Sequence, residues 1–227
     1  MHRRARSPEA KQRRTEDLLD ATRGLAVDRG GVRHITLAAV TEAAGLHPSA
    51  VRRYFESKEE LLLELAERGW GEWRDALTSH LAGAHDLTPE QTAAAVAGTL
   101  ASQPLFCDLL THVPLSLEGD VDIERARRFK TNSFAAYDAI VEVLTAASTM
   151  TGVQVQSLIT VALALTANLW QLSHPTPTLA ELYAQHPRWG HVALDFEPRL
   201  TRLLQATASG LASDTGPVTV ARGPEMP

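Results

Sequence analysis

The chain has a single cysteine, Cys107, so no intrachain disulfide can brace it. This fits a reducing compartment, and the thiol is either a packing side chain or a redox sensor. No stretch alternates apolar and polar residues at period two, which argues against a sheet. Its nine histidines form no HExxH or other compact metal-ligand spacing. A GxSxG elbow, a phosphate-binding loop and a glycine-rich dinucleotide turn are also missing, so those enzyme classes find no support and no cofactor is called for. No apolar run follows the charged start, as a secretory signal would require. The most apolar window, Val153 to Leu172, is interrupted by Gln154, Gln156, Asn168 and Gln171. It reads as a buried helix rather than a bilayer span, and the protein is expected in the cytoplasm, away from membranes.

What is present is ordinary in bulk and uneven in placement. Hydrophobic residues make up 44% and charged residues 22% of 227, which suits one large domain or a small one joined to a larger one. The net charge of −5 argues against a nucleic-acid partner taken alone. Residues 1–58, however, carry 12 Lys/Arg against 7 Asp/Glu, whereas residues 59–227 carry 10 against 20. A basic head on an acidic body is the pattern of a DNA reader with a separate sensing region.

The stretch Thr36 to Lys58 gives that head a shape. Leu37, Val40 and Ala44 recur at helical spacing, Gly45 breaks the pattern, and Leu46 follows as an inward plug. Pro48 opens a second short helix that sends Val51 and Phe55 inward and turns Ser49, Arg52 and Arg53 outward, with Tyr54 at its end. This is a helix-turn-helix whose second helix can enter a DNA major groove. Arginine's planar fork can grip guanine O6 and N7 together, worth about 1–3 kcal/mol of discrimination. Thr36 caps a helix whose N-terminal amides can point at a phosphate. The basic run with Arg3, Arg4 and Arg6 is a solvated tail or an arm that contacts phosphates or the minor groove.

The pieces LLDAT at 18–22, DRGG at 28–31 and ITLAAVTEAAGLHPSAVRRYFESKEEL at 35–61 resemble, in order and spacing, the DNA-binding domain of TetR-type transcriptional regulators. Beyond about residue 65 the resemblance is one of plan. It implies an all-α fold: a basic arm (1–14), a helix-turn-helix domain (15–60), a helical effector-binding and dimerisation body (61–212) and a disordered tail (213–227). It further implies a homodimer on a palindromic operator of double-stranded DNA, most often a repressor, released by a small-molecule effector. By the family's habit Tyr54 and Lys58 contact phosphates, and His47 stands where Ser or Thr is frequent. Arg52 replaces a common tyrosine and Ala26 a usual phenylalanine, so that the head core is weakened or another side chain fills the gap. An activator, or a DNA-binding protein that senses no small molecule, would carry the same head.

The body reads as successive helices. Ser57 with Glu60, and Thr88 with Gln91, mark capping boxes. Pro104 opens a short helix closed by Pro114, and Asp120 or Asp122 starts a long one. Candidate walls for an effector pocket are Trp73, Leu105, Phe106, Leu109, His112, Phe129, Phe134, Tyr137, Asn168 and Trp170, a set that equally describes a plain core. Asp108 and His112, four residues apart, are placed to pair. In the last two long helices Leu158, Ala162, Leu165, Leu200, Leu204, Thr207 and Leu211 form apolar faces. By the same resemblance they are expected at the dimer interface.

Overall fold

The computed structural model describes residues 8–192 and 195–214. Arg3, Arg4 and Arg6, and the tail beyond Asp214, lie outside them. Among the described residues the fold is all-α: α1 (Pro8–Asp28), α2 (Leu37–Ala43), α3 (Pro48–Val51), α4 (Lys58–His80), α5 (Pro89–Ala101), α6 (Pro104–His112), α7 (Ile123–Ala147), α8 (Gly152–Ser173), α9 (Pro177–Gln185) and α10 (Phe196–Ser213). Among the described residues the one extended contact is an isolated parallel bridge between Leu87 and Ser148.

Local chemistry sets the helix starts. Thr88 Oγ1 accepts from Gln91 N, and the Gln91 side chain returns a bond from Thr88 N. Thr151 and Gln154 repeat that box at α8. The Asp122 carboxylate accepts from Glu124 N and Arg125 N, which makes Asp122 rather than Asp120 the start of α7. At α4 the box is incomplete. Ser57 Oγ accepts from Glu60 N, but Glu60 turns back to Glu56 N instead of Ser57 N.

Two stretches depart from expectation. Pro114 does not close the helical run begun at Pro104: beyond His112 the chain forms one wide turn, Val113–Leu117, in which Glu118 N reaches Val113 O five residues back. Pro114 has no N–H to give, so the regular ladder cannot continue through it and the bonding shifts register. α3 is also shorter than the pattern suggested. Only Pro48–Val51 is α-helical, and Arg53 N→Ala50 O and Tyr54 N→Val51 O continue it as a tightened, three-residue turn.

Two cores share α4. The first gathers Leu18, Leu19, Val32, Ile35, Val40, Val51 and Phe55 around Leu61, Leu62 and Leu65, and takes in Leu109, Leu117 and Phe129 from the body. The second packs Trp73 and Leu77 with α5, α7, α8 and α10. Ala93 and Ala97 on α5 and Ala208 on α10 are small enough for those two helices to lie close. Trp73 is fully buried and its indole N–H is satisfied by Thr99 Oγ1 at 3.1 Å. α8 is long and apolar enough to cross a membrane, and its Val155, Leu158, Ile159, Ala162 and Leu169 are buried where it packs against α5, α6, α7 and α10.

Candidate DNA-reading surface and head–body cleft

The head is built from α1 to the start of α4. Gly45 holds a left-handed conformation (φ 63°) between α2 and α3, and Leu46 N bonds Thr41 O across it. This glycine stop reverses the chain at minimal steric cost. Leu46 is half-buried against the head core rather than fully inserted. Val51 and Phe55 anchor the turn inward, which leaves Arg52 and Arg53 exposed. Thr36, also exposed, accepts from Ala39 N at 3.2 Å and so caps α2. His47 is exposed, Lys58 half-buried, and Tyr54 packs against the head core. Ser49 lies in α3. The structure therefore gathers the sequence-derived contact residues from Thr36 to Lys58 on one small head.

The expected pocket wall is not brought together. Phe134 is 59% exposed and Asn168 is also exposed, so neither lines an internal chamber. Phe106 is buried among the rings of Trp70 and Trp73, with centroids 5.6 and 6.2 Å away, as a core side chain. Leu109 and Phe129 belong to the head-side core. Tyr137 is half-buried, with its phenol pKa raised chiefly by burial. The dimer positions need a similar correction. Leu158, Ala162, Leu200 and Leu204 have no exposed surface within the single chain and serve its own core. Leu165, Thr207 and Leu211 retain partial exposure.

A cleft of about 530 Å³ opens instead between head and body, with Leu105 and Trp170 from the expected set on its wall. The head contributes Ala26, Val27, Gly30, Gly31 and Arg33; the body adds Pro104, Asp108, Gln171, His174 and Pro175. The small Ala26, buried in the head core, forms part of this wall. Asp108 sits on the floor, nearly buried. Its Oδ2 accepts from Val32 N and its Oδ1 from Gln171 Nε2. Gly31 (φ 130°) is required there: a Cβ would stand 3.1 Å from Asp108 Oδ2. His112 Nε2 lies 3.9 Å from Asp108 Oδ1, too far for a hydrogen bond. Burial holds the His112 pKa below its usual value, although Asp108 pulls the other way. Asp108 and Gln171 carry no distinct sequence signal of this role, because an acid on an apolar helix and an amide in an apolar run show their partners only in three dimensions.

A second set of contacts joins α1 to α4 and α4 to α7 through charge. Arg68 on α4 reaches Glu16 on α1 (Nη2–Oε1 2.9 Å) and Glu64 (Nε–Oε1 3.3 Å). The guanidinium of Arg68 holds the Glu16 carboxyl below the usual carboxylate range. From α7, buried Arg125 bonds Glu67 at 2.8 Å and Glu64 at 3.3 Å, and Arg128 bonds Glu64. Cys107 is fully buried, donates to Leu100 O, and burial pushes its pKa up to about 12, so it is a packing side chain. No group of three or more potential metal ligands occurs among the described residues.

Comparison with known proteins agrees with this architecture. Residues 18–65 match the family "Bacterial regulatory proteins, tetR family", and residues 67–215 match "Tetracyclin repressor-like, C-terminal domain". No curated protein matches the chain. The fatty acid degradation regulator FadR from Bacillus halodurans superposes with a TM-score of 0.52 at 15% identity, over 93% of this chain and 98% of that one. FadR from Thermus thermophilus, a TetR-family transcriptional repressor in complex with lauroyl-CoA, gives 0.54 at 17% identity, over 94% and 98%. A transcriptional regulator from Pseudomonas aeruginosa PAO1 gives 0.52 at 18% identity, over 89% and 92%. At such identities the likeness is one of fold. With both family matches lying end to end along most of the chain, this protein belongs to the TetR family of transcriptional regulators.

Proposed function

We propose that the chain is a homodimeric repressor that holds a palindromic operator in the cytoplasm and releases it when a small molecule binds. The observation that carries the DNA half is the exposed pair Arg52 and Arg53 on a turn anchored by Val51 and Phe55, with the Thr36-capped end of α2 on the same head. Thr36, His47, Ser49, Arg52, Arg53, Tyr54 and Lys58 form the contact set, with Arg52 and Arg53 reading base edges or phosphates. A single short turn grips few base pairs, and two heads on a twofold axis read a palindrome through successive major grooves. The second copy would meet the outward sides of α8 and α10, where Leu165, Thr207 and Leu211 keep exposed surface.

The test is selection of bound fragments from random DNA by the purified chain at near-physiological salt. One palindromic motif, lost or relaxed in Arg52→Ala and Arg53→Ala, is the expected result. Sequence-blind binding that fades with salt would refute it. An effector screen on the recovered fragment would begin with acyl-CoA thioesters, the ligand class seen in the Thermus structure, alongside free carboxylic acids.

A further inference from the structure

We propose that the head–body cleft binds a small amphipathic carboxylic acid, whose apolar part lies against Ala26, Leu105 and Trp170 and whose carboxylate meets Arg29 and Arg33, and that this ligand clamps the head to the body. The clamp deepens the DNA-regulator reading above, while the binding site stands apart from it.

Four observations carry the inference. The cleft, at about 530 Å³, has the size of a small-molecule site and lies between two structural units, where such sites concentrate. Its inner wall is apolar, because Ala26 is small and the indole of Trp170 is held in place by stacking on His174 (centroids 3.9 Å apart) and edge contact with Phe196. Its outer rim is cationic. Arg33 lines the mouth, and the adjoining depression is ringed by Arg29, Arg33 and His34. Among the described residues neither arginine has a carboxylate partner. Arg29 donates to His34 O and Arg33 Nε to His34 Nε2, which leaves the Arg33 terminal nitrogens available.

The floor sets the ligand's direction. Asp108 is negative and already accepts from Val32 N and Gln171 Nε2, so it repels a second carboxylate toward the rim. An acid therefore enters with its apolar end first and its charge at the arginines. A molecule lying there touches head and body together, and binding only the closed arrangement would stabilise it.

The experiment uses the full chain, with 2-naphthoate as probe and the uncharged 2-naphthylmethanol as its control, by titration calorimetry. The acid should bind more tightly than the alcohol. An R29A/R33A double variant, altered only at exposed residues, should lose about tenfold in affinity for the acid and little for the alcohol. Ala26→Phe, checked for native circular dichroism, should abolish binding of both by filling the cleft. Hydrogen exchange at the Val32 amide should slow when naphthoate binds. Equal binding of acid and alcohol, undiminished acid binding in R29A/R33A, or no binding at all would overturn the site. Binding without slower Val32 exchange would overturn the clamp. Failure to recover a DNA motif would count against the regulator reading alone, since none of these measurements involves DNA.

Discussion

Asp108 accepts a hydrogen bond from Val32 N in the head and one from Gln171 Nε2 on α8, both at 2.7 Å. One nearly buried carboxylate thus joins the turn after α1 to the far end of α8. Asp108→Ala leaves the buried Val32 N–H without a partner and should lower stability by about 2–4 kcal/mol, since each bond to a charged acceptor contributes about 1.5–3. The Val32 amide should also exchange faster. Asp108→Asn keeps an acceptor for Val32 and should cost less. Equal denaturation midpoints for wild type and Asp108→Ala would refute the coupling.

Two glycines should respond to alanine with opposite sign. A Cβ on Gly69 would meet Phe106 Cδ2 at 2.4 Å, and Phe106 cannot retreat because Trp70 and Trp73 stand beside it. Gly69→Ala should destabilise by about 1–3 kcal/mol. Gly24, in mid-α1 and exposed, has nothing within 4 Å of its Cβ position. Gly24→Ala should stabilise by up to about 1 kcal/mol. Thermal melts of both variants decide the point.

Arg125 is almost fully buried against Glu64 and Glu67. Arg125→Met removes the cation and leaves acids behind, so a loss of about 3–5 kcal/mol is expected. Adding Glu67→Gln should recover part of that loss. If Glu67→Gln changes stability by the same amount in the wild type and in Arg125→Met, the pair is not energetically coupled.

The pH dependence follows from two groups. Glu16, faced by Arg68, Arg23 and Gln12, has its pKa lowered from 4.5, mainly by the Arg68 hydrogen bond. Its contribution is present above the unfolded value near 4.5 and is lost as pH falls through the lower folded value. Glu16→Gln should therefore flatten stability below about pH 4.5. His112, faced by Asp108, Lys58 and Arg33, has its pKa lowered from 6.5, mainly by burial. The folded state favours the neutral ring, so stability falls as pH drops from 6.5 through the lower folded value, and His112→Asn should lessen that slope. Denaturation midpoints across pH 3–8 would reveal both.

The sequence made the helix starts legible because caps are local chemistry: Thr88 with Gln91, Ser57 and Asp122 act within three residues. It also located the turn at Gly45, where one residue type meets one backbone requirement. Facing was harder. The buried side of α7 runs through Phe129, Ser133, Ala136, Ile140 and Leu144, so Phe134 stands one residue off that stripe and faces out despite its size. In the apolar stretch of α8 four amides looked alike. Gln154 caps the helix and donates to Leu211 O, Gln171 turns in to Asp108, and Gln156 and Asn168 face out. Those fates depend on partners 57 to 63 residues away, which no local window contains.

α4 begins beneath the turn that carries Arg52 and Arg53 and ends in the body core beyond Trp73, with 23 residues in one helix. At 1.5 Å per residue it is a rod of roughly 34 Å. Pivoting at its body end, a tilt of roughly 10° would carry its tip sideways by roughly 6 Å, nearly two base-pair steps of DNA. On the proposed reading, a modest repacking around Trp73 would be magnified into loss of groove register, and the angle of one shaft would decide whether Arg52 and Arg53 reach the DNA.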